Sequence, residues 1–439
     1  MSNILTFDDR AFLVGEGGNF REIVEQFEEE CRRQDITPEQ IANNLDWVIY
    51  NLAPRRINER TEIAPGISIR ISEDYVDERG HKCSSCISEG VNVSGHTSYW
   101  IEGLPSGNKV QAGDKNSTLV GSILPHYIRA HHFPEGEVRY GLKTEFLVEL
   151  VRRVKVPTFI DMMRGKSETG EVVLMDGGIG SNVMEGMPLG RLHQMFYDNG
   201  SSVSNTHTFM KHPIAMERED SNPRSCKRDN YEAVMVARMV NGDNYIRGSM
   251  GPLYELLEPL GPIKEERFRA AYEQQIDALA RLGGVDCLSI ESTFDPTASR
   301  ILADMAMKTG IPVIVSFFLE KIDYGDYQGE LACTFGPFDK YFEQFRDVPI
   351  LGINCCSLED GLLFLELYRD RTDQFLMVEP NAGKPVYNVD TGLSQHVVTP
   401  QQFADYAMQY REAGANLIGG CCGSKPEHIL AAAQAFDLK

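Results

Sequence analysis

The chain has no surplus of positive charge. Lysine and arginine number 43 against 64 aspartates and glutamates, a net charge of −21. A chain so acidic repels phosphate backbones and anionic lipid surfaces, which excludes nucleic acid and membranes as partners. It also lacks any apolar run near the ~18 residues that would suggest a bilayer span. The opening Met1-Ser2-Asn3-Ile4-Leu5-Thr6-Phe7-Asp8-Asp9-Arg10 carries acidic residues where a signal peptide would be apolar. The expected compartment is therefore the cytosol, where the ten cysteines stay reduced and serve metal binding or catalysis before disulfides.

What is present is ordinary for a soluble protein: 439 residues, 42% hydrophobic and 24% charged. That length predicts two domains, each able to bury a core. The pattern changes near residue 165. Before it, Ile23, Phe27 and Cys31 mark an amphipathic helix over Arg21–Gln34. Thr37-Pro38-Glu39-Gln40 supplies a capping box and a first-turn proline for a second helix striped by Ile41, Leu45, Val48 and Leu52. From Gly66 to Gly141 the period shortens to two, as in Ile67, Ile69 and Ile71, which predicts antiparallel strands. Thr144–Val154 returns to helical spacing. Residues 1–165 thus read as an α+β domain. Within it, His81-Lys82-Cys83-Ser84-Ser85-Cys86 holds a C-x-x-C with no second such pair nearby, though His96, His126, His131 and His132 are close in sequence. The pair reads as reduced thiols in a strand turn, with half a metal site as the alternative.

Residues 166–439 repeat a short apolar strand, a loop and a helix. Candidate strands are 172–175, 203–206, 245–248, 287–290, 312–316, 350–353, 375–378 and 416–418, and the clearest helix is Glu265–Leu282. Eight such units predict a (β/α)₈ TIM barrel, an α/β fold. In that fold the C-terminal strand ends form the active site. Asp176, Glu291, Cys355, Cys421 and Cys422 all follow predicted strands and so gather on one face.

The stretch Gly419-Gly420-Cys421-Cys422-Gly423 carries the most specific chemistry. Adjacent cysteines rarely bond to each other, and flanking glycines let the backbone turn so that both sulfurs face one soft cation. Gly352-Ile353-Asn354-Cys355 offers a third thiolate. Three thiolates with one open position describe a working zinc site; the alternative is cysteines packed as small hydrophobes. An amino-acid thiol could fill the open position while Asp176, in Asp176-Gly177-Gly178-Ile179-Gly180, and Glu291 accept from its ammonium group. Taken singly, Asp176 is a turn residue and Glu291 a barrel ion-pair partner.

These motifs resemble those of the homocysteine S-methyltransferases, including the zinc-dependent homocysteine domains of methionine synthases and of betaine–homocysteine methyltransferase. The resemblance covers residues 172–439 through Asp176-Gly177-Gly178, Leu192-His193, Thr206-His207-Thr208-Phe209, Gly248-Ser249-Met250-Gly251-Pro252, Glu291-Ser292-Thr293-Phe294, Gly352-Ile353-Asn354-Cys355, Pro380-Asn381-Ala382-Gly383 and Gly419–Gly423. It implies zinc at Cys355, Cys421 and Cys422, and substrate contacts at Asp176, Gly177, Gly178 and Glu291. It also selects Cys355 over Cys356, because the family ligand follows the asparagine directly.

The implied activity is methyl transfer from an onium donor (S-methylmethionine, S-adenosylmethionine or a betaine-like ammonium) to homocysteine, forming methionine. Other readings are a different thiol acceptor, a separate corrinoid or folate carrier protein, or a zinc-binding sensor or scaffold without turnover. Gly423–Lys439 is all that follows Cys422, so neither the betaine enzyme's C-terminal extension nor folate or cobalamin modules are expected there. The additional N-terminal domain is a candidate for holding the donor, binding a partner protein, forming a homo-oligomer or shaping the barrel mouth. Tyr99 and Trp100 would offer a cation–π wall to a quaternary ammonium, with aromatic core as the plain alternative.

Overall fold

The computed structural model describes residues 20–53, 59–82, 86, 91, 94–108, 115–134, 141–240, 244–323, 329–384, 386–388 and 393–439. Cys83 lies outside them. The chain divides into two compact units, Met1–Val156 and Pro157–Lys439. The pattern boundary at residue 165 falls inside helix Phe159–Thr169, which packs with the second unit.

The first unit begins with helix Phe20–Arg33, whose buried stripe is Val24, Phe27 and Cys31. Helix Pro38–Trp47 starts at a complete capping box: the Gln40 N–H donates to Thr37 Oγ1 at 3.1 Å, and the Thr37 N–H donates to Gln40 Oε1 at 2.8 Å. Its apolar residues Ile41 and Leu45 are fully buried, and the helix ends in a π turn over Val48–Leu52. Four antiparallel strands follow in sheet order, Arg60–Ala64, Ile67–Lys82, Ser94–Glu102 and Ser117–Gly121. Ile69 pairs with Ile101, and both enter the core with Phe27, Ile41, Leu45, Val120, Leu124, Ile128, Leu147 and Leu150. Trp100 is buried with the Arg70 guanidinium 5.7 Å from its ring centre, so one face already carries a cation. Helix Leu124–His131, which pattern did not predict, is buried along its whole length. Its Arg129 pairs with Asp46 in that interior.

The second unit is built on eight parallel strands: β1 (Val173–Leu174), β2 (Val203–Asn205), β3 (Tyr245–Met250), β4 (Cys287–Thr293), β5 (Val313–Phe317), β6 (Ile350–Asn354), β7 (Phe375–Glu379) and β8 (Leu417–Ile418). Neighbours run β1-β8-β7-β6-β5-β4-β3-β2, and a parallel bridge from Met175 to Val203 joins the ends. The sheet is a closed barrel of TIM type. All eight strands fall where the strand–loop–helix rhythm put them. The predicted helix Glu265–Leu282 is α-helical over Glu265–Asp277 and finishes as a π turn, Ala278–Gly283. Strand residues Leu288, Ile290, Val313, Val315, Leu351, Ile353, Leu376 and Val378 are sealed from water and form the core with the surrounding helices.

Two small antiparallel additions follow barrel strands. One is a three-stranded sheet over Glu320–Ile322, Glu330–Cys333 and Gly336–Pro337 after β5. The other is a hairpin, Val386–Asn388 with Leu393–Gln395, after β7. Among the described residues no helix is long and apolar enough to cross a membrane.

Candidate metal centre

Strand β6 ends at Asn354, and the next residue, Cys355, turns into the left-handed region with φ 57°. A non-glycine residue rarely adopts that conformation without something holding it there. Here the loop after β7 holds it. Asn381 Nδ2 donates to the Cys355 carbonyl at 2.8 Å, the Asn381 N–H donates to the Cys356 carbonyl at 2.9 Å, and the Cys355 N–H donates to the Glu379 carbonyl at 3.1 Å. The same loop grips the glycine-framed turn after β8. The Cys422 N–H donates to Asn381 Oδ1 at 3.0 Å, the Cys421 N–H to the Pro380 carbonyl at 2.8 Å, and the Ala382 N–H to the Cys422 carbonyl at 2.9 Å. One asparagine thus ties both cysteine turns together.

The three sulfurs meet as a result. Cys355 Sγ lies 2.9 Å from Cys421 Sγ and 3.7 Å from Cys422 Sγ, and all three donor atoms fall within 4.8 Å of one another. Thiolates ~2.3 Å from one tetrahedral ion would stand about 3.8 Å apart, so the donor set fits a single soft cation with a modest adjustment of Cys421. Their electrostatics point the same way. Cys422 is drawn down to about 3 by its contacts with the Cys355 and Cys421 thiols. Cys421 is pushed far up, first by Cys355 and Cys422 and then by burial. For Cys355 the Cys421 contact lowers the value, while the Cys422 contact and burial raise it to about 12. Three crowded thiols lose one proton readily and the rest reluctantly; a divalent cation removes that conflict. Cys422 is exposed, so the cluster faces solvent on one side. Cys356, by contrast, is buried in the apolar core.

Asn354 explains the asparagine of the G-x-N-C turn. Its Oδ1 accepts from the Ser292 N–H at 2.7 Å and from Ser316 Oγ at 2.8 Å, and its Nδ2 donates to Ser292 Oγ at 2.8 Å. The same Nδ2 sits 3.9 Å from Cys421 Sγ, as a weak donor to the sulfur.

The glycines after β1 interlock with the cysteine turn. The Gly178 N–H donates to the Ser424 carbonyl at 3.1 Å, and the Gly420 N–H donates to the Asp176 carbonyl at 3.0 Å. A Cβ on Gly178 would lie 2.4 Å from the Cys421 carbonyl oxygen, and one on Gly177 would lie 2.7 Å from that of Ser424. Both positions are closed to side chains. Asp176 follows β1 and is buried, with Oδ2 accepting from the Asn205 N–H at 2.7 Å and Oδ1 without a hydrogen-bond partner. Glu291 departs from expectation in one respect: β4 runs on to Thr293, so Glu291 lies inside the strand rather than after it. Its Oε2 is 3.5 Å from Asn205 Nδ2, and its Oε1 also lacks a hydrogen bond.

Two buried residues that sequence reasoning missed complete this group. Arg247 on β3 places Nη2 2.8 Å from Glu379 Oε1 on β7 and Nε 3.7 Å from Glu291 Oε1. Burial opposes the Arg247 charge, but Glu379, Glu291 and Asp176 outweigh it and hold the guanidinium protonated. Burial raises Asp176 to about 8 and Glu379 to about 7, against the pull of Arg247. Three carboxyl groups therefore share one cation, with acceptor oxygens to spare. The available signal was an arginine inside the otherwise uncharged strand Tyr245–Met250.

The homocysteine S-methyltransferase family model matches residues 173–436, more than half of the chain. The chain belongs to this family. The homocysteine S-methyltransferase of Escherichia coli K12 is 28% identical over 206 residues, which are 46% of this chain and 65% of that relative's length. The alignment thus spans slightly less than two thirds of the relative. The metallated form of the E. coli homocysteine methyltransferase MmuM superposes with a TM-score of 0.51 at 22% identity, over 62% of this chain and 99% of that one. Its oxidized form gives 0.49 at 20% identity, over 60% and 95%. The family match leaves the N-terminal unit outside it. Within the barrel, the Thr206-His207-Thr208-Phe209 motif laces β2 to β3: the Ser249 N–H donates to Thr206 Oγ1 at 3.0 Å, and Thr208 Oγ1 donates to the Ser249 carbonyl at 2.7 Å.

Proposed function

We propose that the barrel binds one zinc ion through Cys355, Cys421 and Cys422 and transfers a methyl group from a small onium donor to the thiol of homocysteine, forming methionine. The two compact units are taken as separate domains, the second carrying this chemistry. The observation that carries the reading is the meeting of three sulfurs from two distant turns, in a barrel that also holds buried carboxyl oxygens without hydrogen bonds.

When bound, zinc would lower the pKa of a coordinated thiol from its ordinary ~8.5, so that the sulfur is available as thiolate at neutral pH. The protein does the rest. Asn381 and Asn354 hold the two cysteine turns at one spacing. The closed glycine turn at Gly177 and Gly178 fixes Asp176 against the Asn205 N–H. Asp176 Oδ1 and Glu291 Oε1 are then acceptors for the amino group of the substrate, whose charge relieves the excess of carboxyl groups around Arg247. With the amino acid gripped at that end, its sulfur attacks the donor's methyl carbon. The new S–C bond forms as the carbon–onium bond breaks, and that electron pair leaves with the neutralised donor. A permanent positive charge on the donor makes it a good leaving group and suits a chain of net charge −21.

The test is methionine formation by zinc-loaded protein from homocysteine with S-methylmethionine, S-adenosylmethionine and betaine in turn, with Cys421→Ser as control. Turnover with one donor, lost in the control, is the expected result. Activity only with an added corrinoid or folate carrier protein, or homocysteine binding without turnover, would overturn it in favour of a carrier-dependent enzyme or a sensor.

A further inference from the structure

The N-terminal unit contains a second convergence of metal-ligating side chains. Cys86, His126 and His131 are all buried, and their donor atoms lie within 4.8 Å of one another. Cys86 Sγ is 3.3 Å from His126 Nε2 and 3.7 Å from His131 Nε2. The two imidazole rings stand edge to face, 5.3 Å apart at 80°, so they approach the sulfur from different directions. Both histidines come from helix Leu124–His131, at the H-x₄-H spacing that places two imidazoles on one ion. The cysteine comes from a segment 40 residues earlier than His126.

These separations have a plain geometric meaning. A tetrahedral zinc ion with Zn–S ~2.3 Å and Zn–N ~2.05 Å sets its sulfur and nitrogen ligands about 3.6 Å apart. The observed pair of distances brackets that edge. Two imidazole nitrogens and one sulfur, all within 4.8 Å of one another, offer three donors to a single cation. Cys and His together select a borderline-soft divalent ion over magnesium or calcium, which take oxygen ligands.

We propose that Cys86, His126 and His131 bind a second zinc-class ion, structural rather than catalytic, which fastens the Cys86 segment to helix Leu124–His131. The contrast with the barrel cluster supports the structural role. There one sulfur is exposed, whereas here all three donor residues are buried, which keeps solvent and a diffusing substrate from the ion. Cys83 precedes Cys86 at C-x-x-C spacing in the sequence, but it lies outside the described residues and the assignment concerns the three whose donor atoms meet. The unit has its own apolar core, so variants at these ligands are expected to fold.

The experiment is metal analysis of the full-length protein purified with zinc, alongside two variants: Cys421→Ser/Cys422→Ser in the barrel and His126→Gln/His131→Gln in the N-terminal unit. Wild type is expected to hold two zinc equivalents per chain and each variant one. Zinc-edge absorption of the barrel variant should then show mixed nitrogen and sulfur ligation, and that of the histidine variant sulfur ligation. A histidine variant that retains both equivalents, or a barrel variant that retains none, overturns the proposal. Should the histidine variant fail to fold, the zinc-edge spectrum of the barrel variant decides alone: nitrogen and sulfur ligation supports it, absence of bound zinc refutes it. A single equivalent that survives the barrel substitutions and disappears with the histidines would uphold this site while sinking the barrel reading.

Discussion

Asn381→Ala is the most informative single change, because it removes neither a proposed sulfur ligand nor a proposed substrate-binding carboxyl group. It deletes two hydrogen bonds, 2.8 Å to the Cys355 carbonyl and 3.0 Å from the Cys422 N–H, which bind the two cysteine turns to each other. At about 0.5–1.5 kcal/mol net for each, the loss is about 1–3 kcal/mol. With 1.4 kcal/mol per factor of ten, that corresponds to roughly 5- to 150-fold weaker metal binding. Asn381 is only half-buried, so water replaces part of what is lost and the expectation settles near tenfold, at the low end of what outer-shell partners contribute. The assay is competition for zinc against a chromophoric chelator at fixed pH, with far-UV circular dichroism to confirm the fold. A variant that binds zinc within twofold of wild type would refute the claim that Asn381 sets the sulfur spacing.

Other expectations follow from the buried and surface charges. Arg247→Met leaves Asp176, Glu291 and Glu379 without their shared cation and should destabilise the protein by about 3–5 kcal/mol at pH 8. Asp176 and Glu379 already have folded values raised to about 8 and about 7, so the folded state holds more protons than the unfolded and stability falls as pH rises from their ordinary values of 3.8 and 4.5 up to those folded values. The deficit should therefore shrink by pH 5 in chemical denaturation; an equal deficit at both pH values would contradict it. In the N-terminal unit, His132 meets Glu28 at 2.7 Å and Glu39 at 3.3 Å. The bonds to these carboxylates raise His132 above 6.5, and the bond from His132 lowers Glu39 to about 2. The histidine's contribution is complete below 6.5 and lost as pH rises through its raised value. That of Glu39 is complete above 4.5 and lost as pH falls toward 2. An NMR titration should give His132 a midpoint above 6.5 that drops in Glu39→Gln, and a midpoint unmoved by the substitution would count against the pairing.

The sequence by itself determined the elements and the chemistry of the thiol site. The capping box at Thr37 and Gln40, the apolar stripe of Ile41 and Leu45, and the eight apolar strands are legible because they depend on spacings of two to four residues. The glycine-framed Cys421 and Cys422 and the Cys355 turn were legible because few other roles suit those residues in that pattern. Only the tertiary structure decided which distant groups share a neighbourhood. Arg247 on β3 meets Glu379 on β7 because barrel closure turns both inward, and no local period announces it. Asn381 ties two turns that are 26 and 41 residues away from it. Cys86, read from sequence as half of an ordinary reduced pair, stands between two histidines 40 and 45 residues later, because the buried helix Leu124–His131 carries both rings to it. Local pattern fixes which way a side chain points along its own element; chain packing fixes what it finds there.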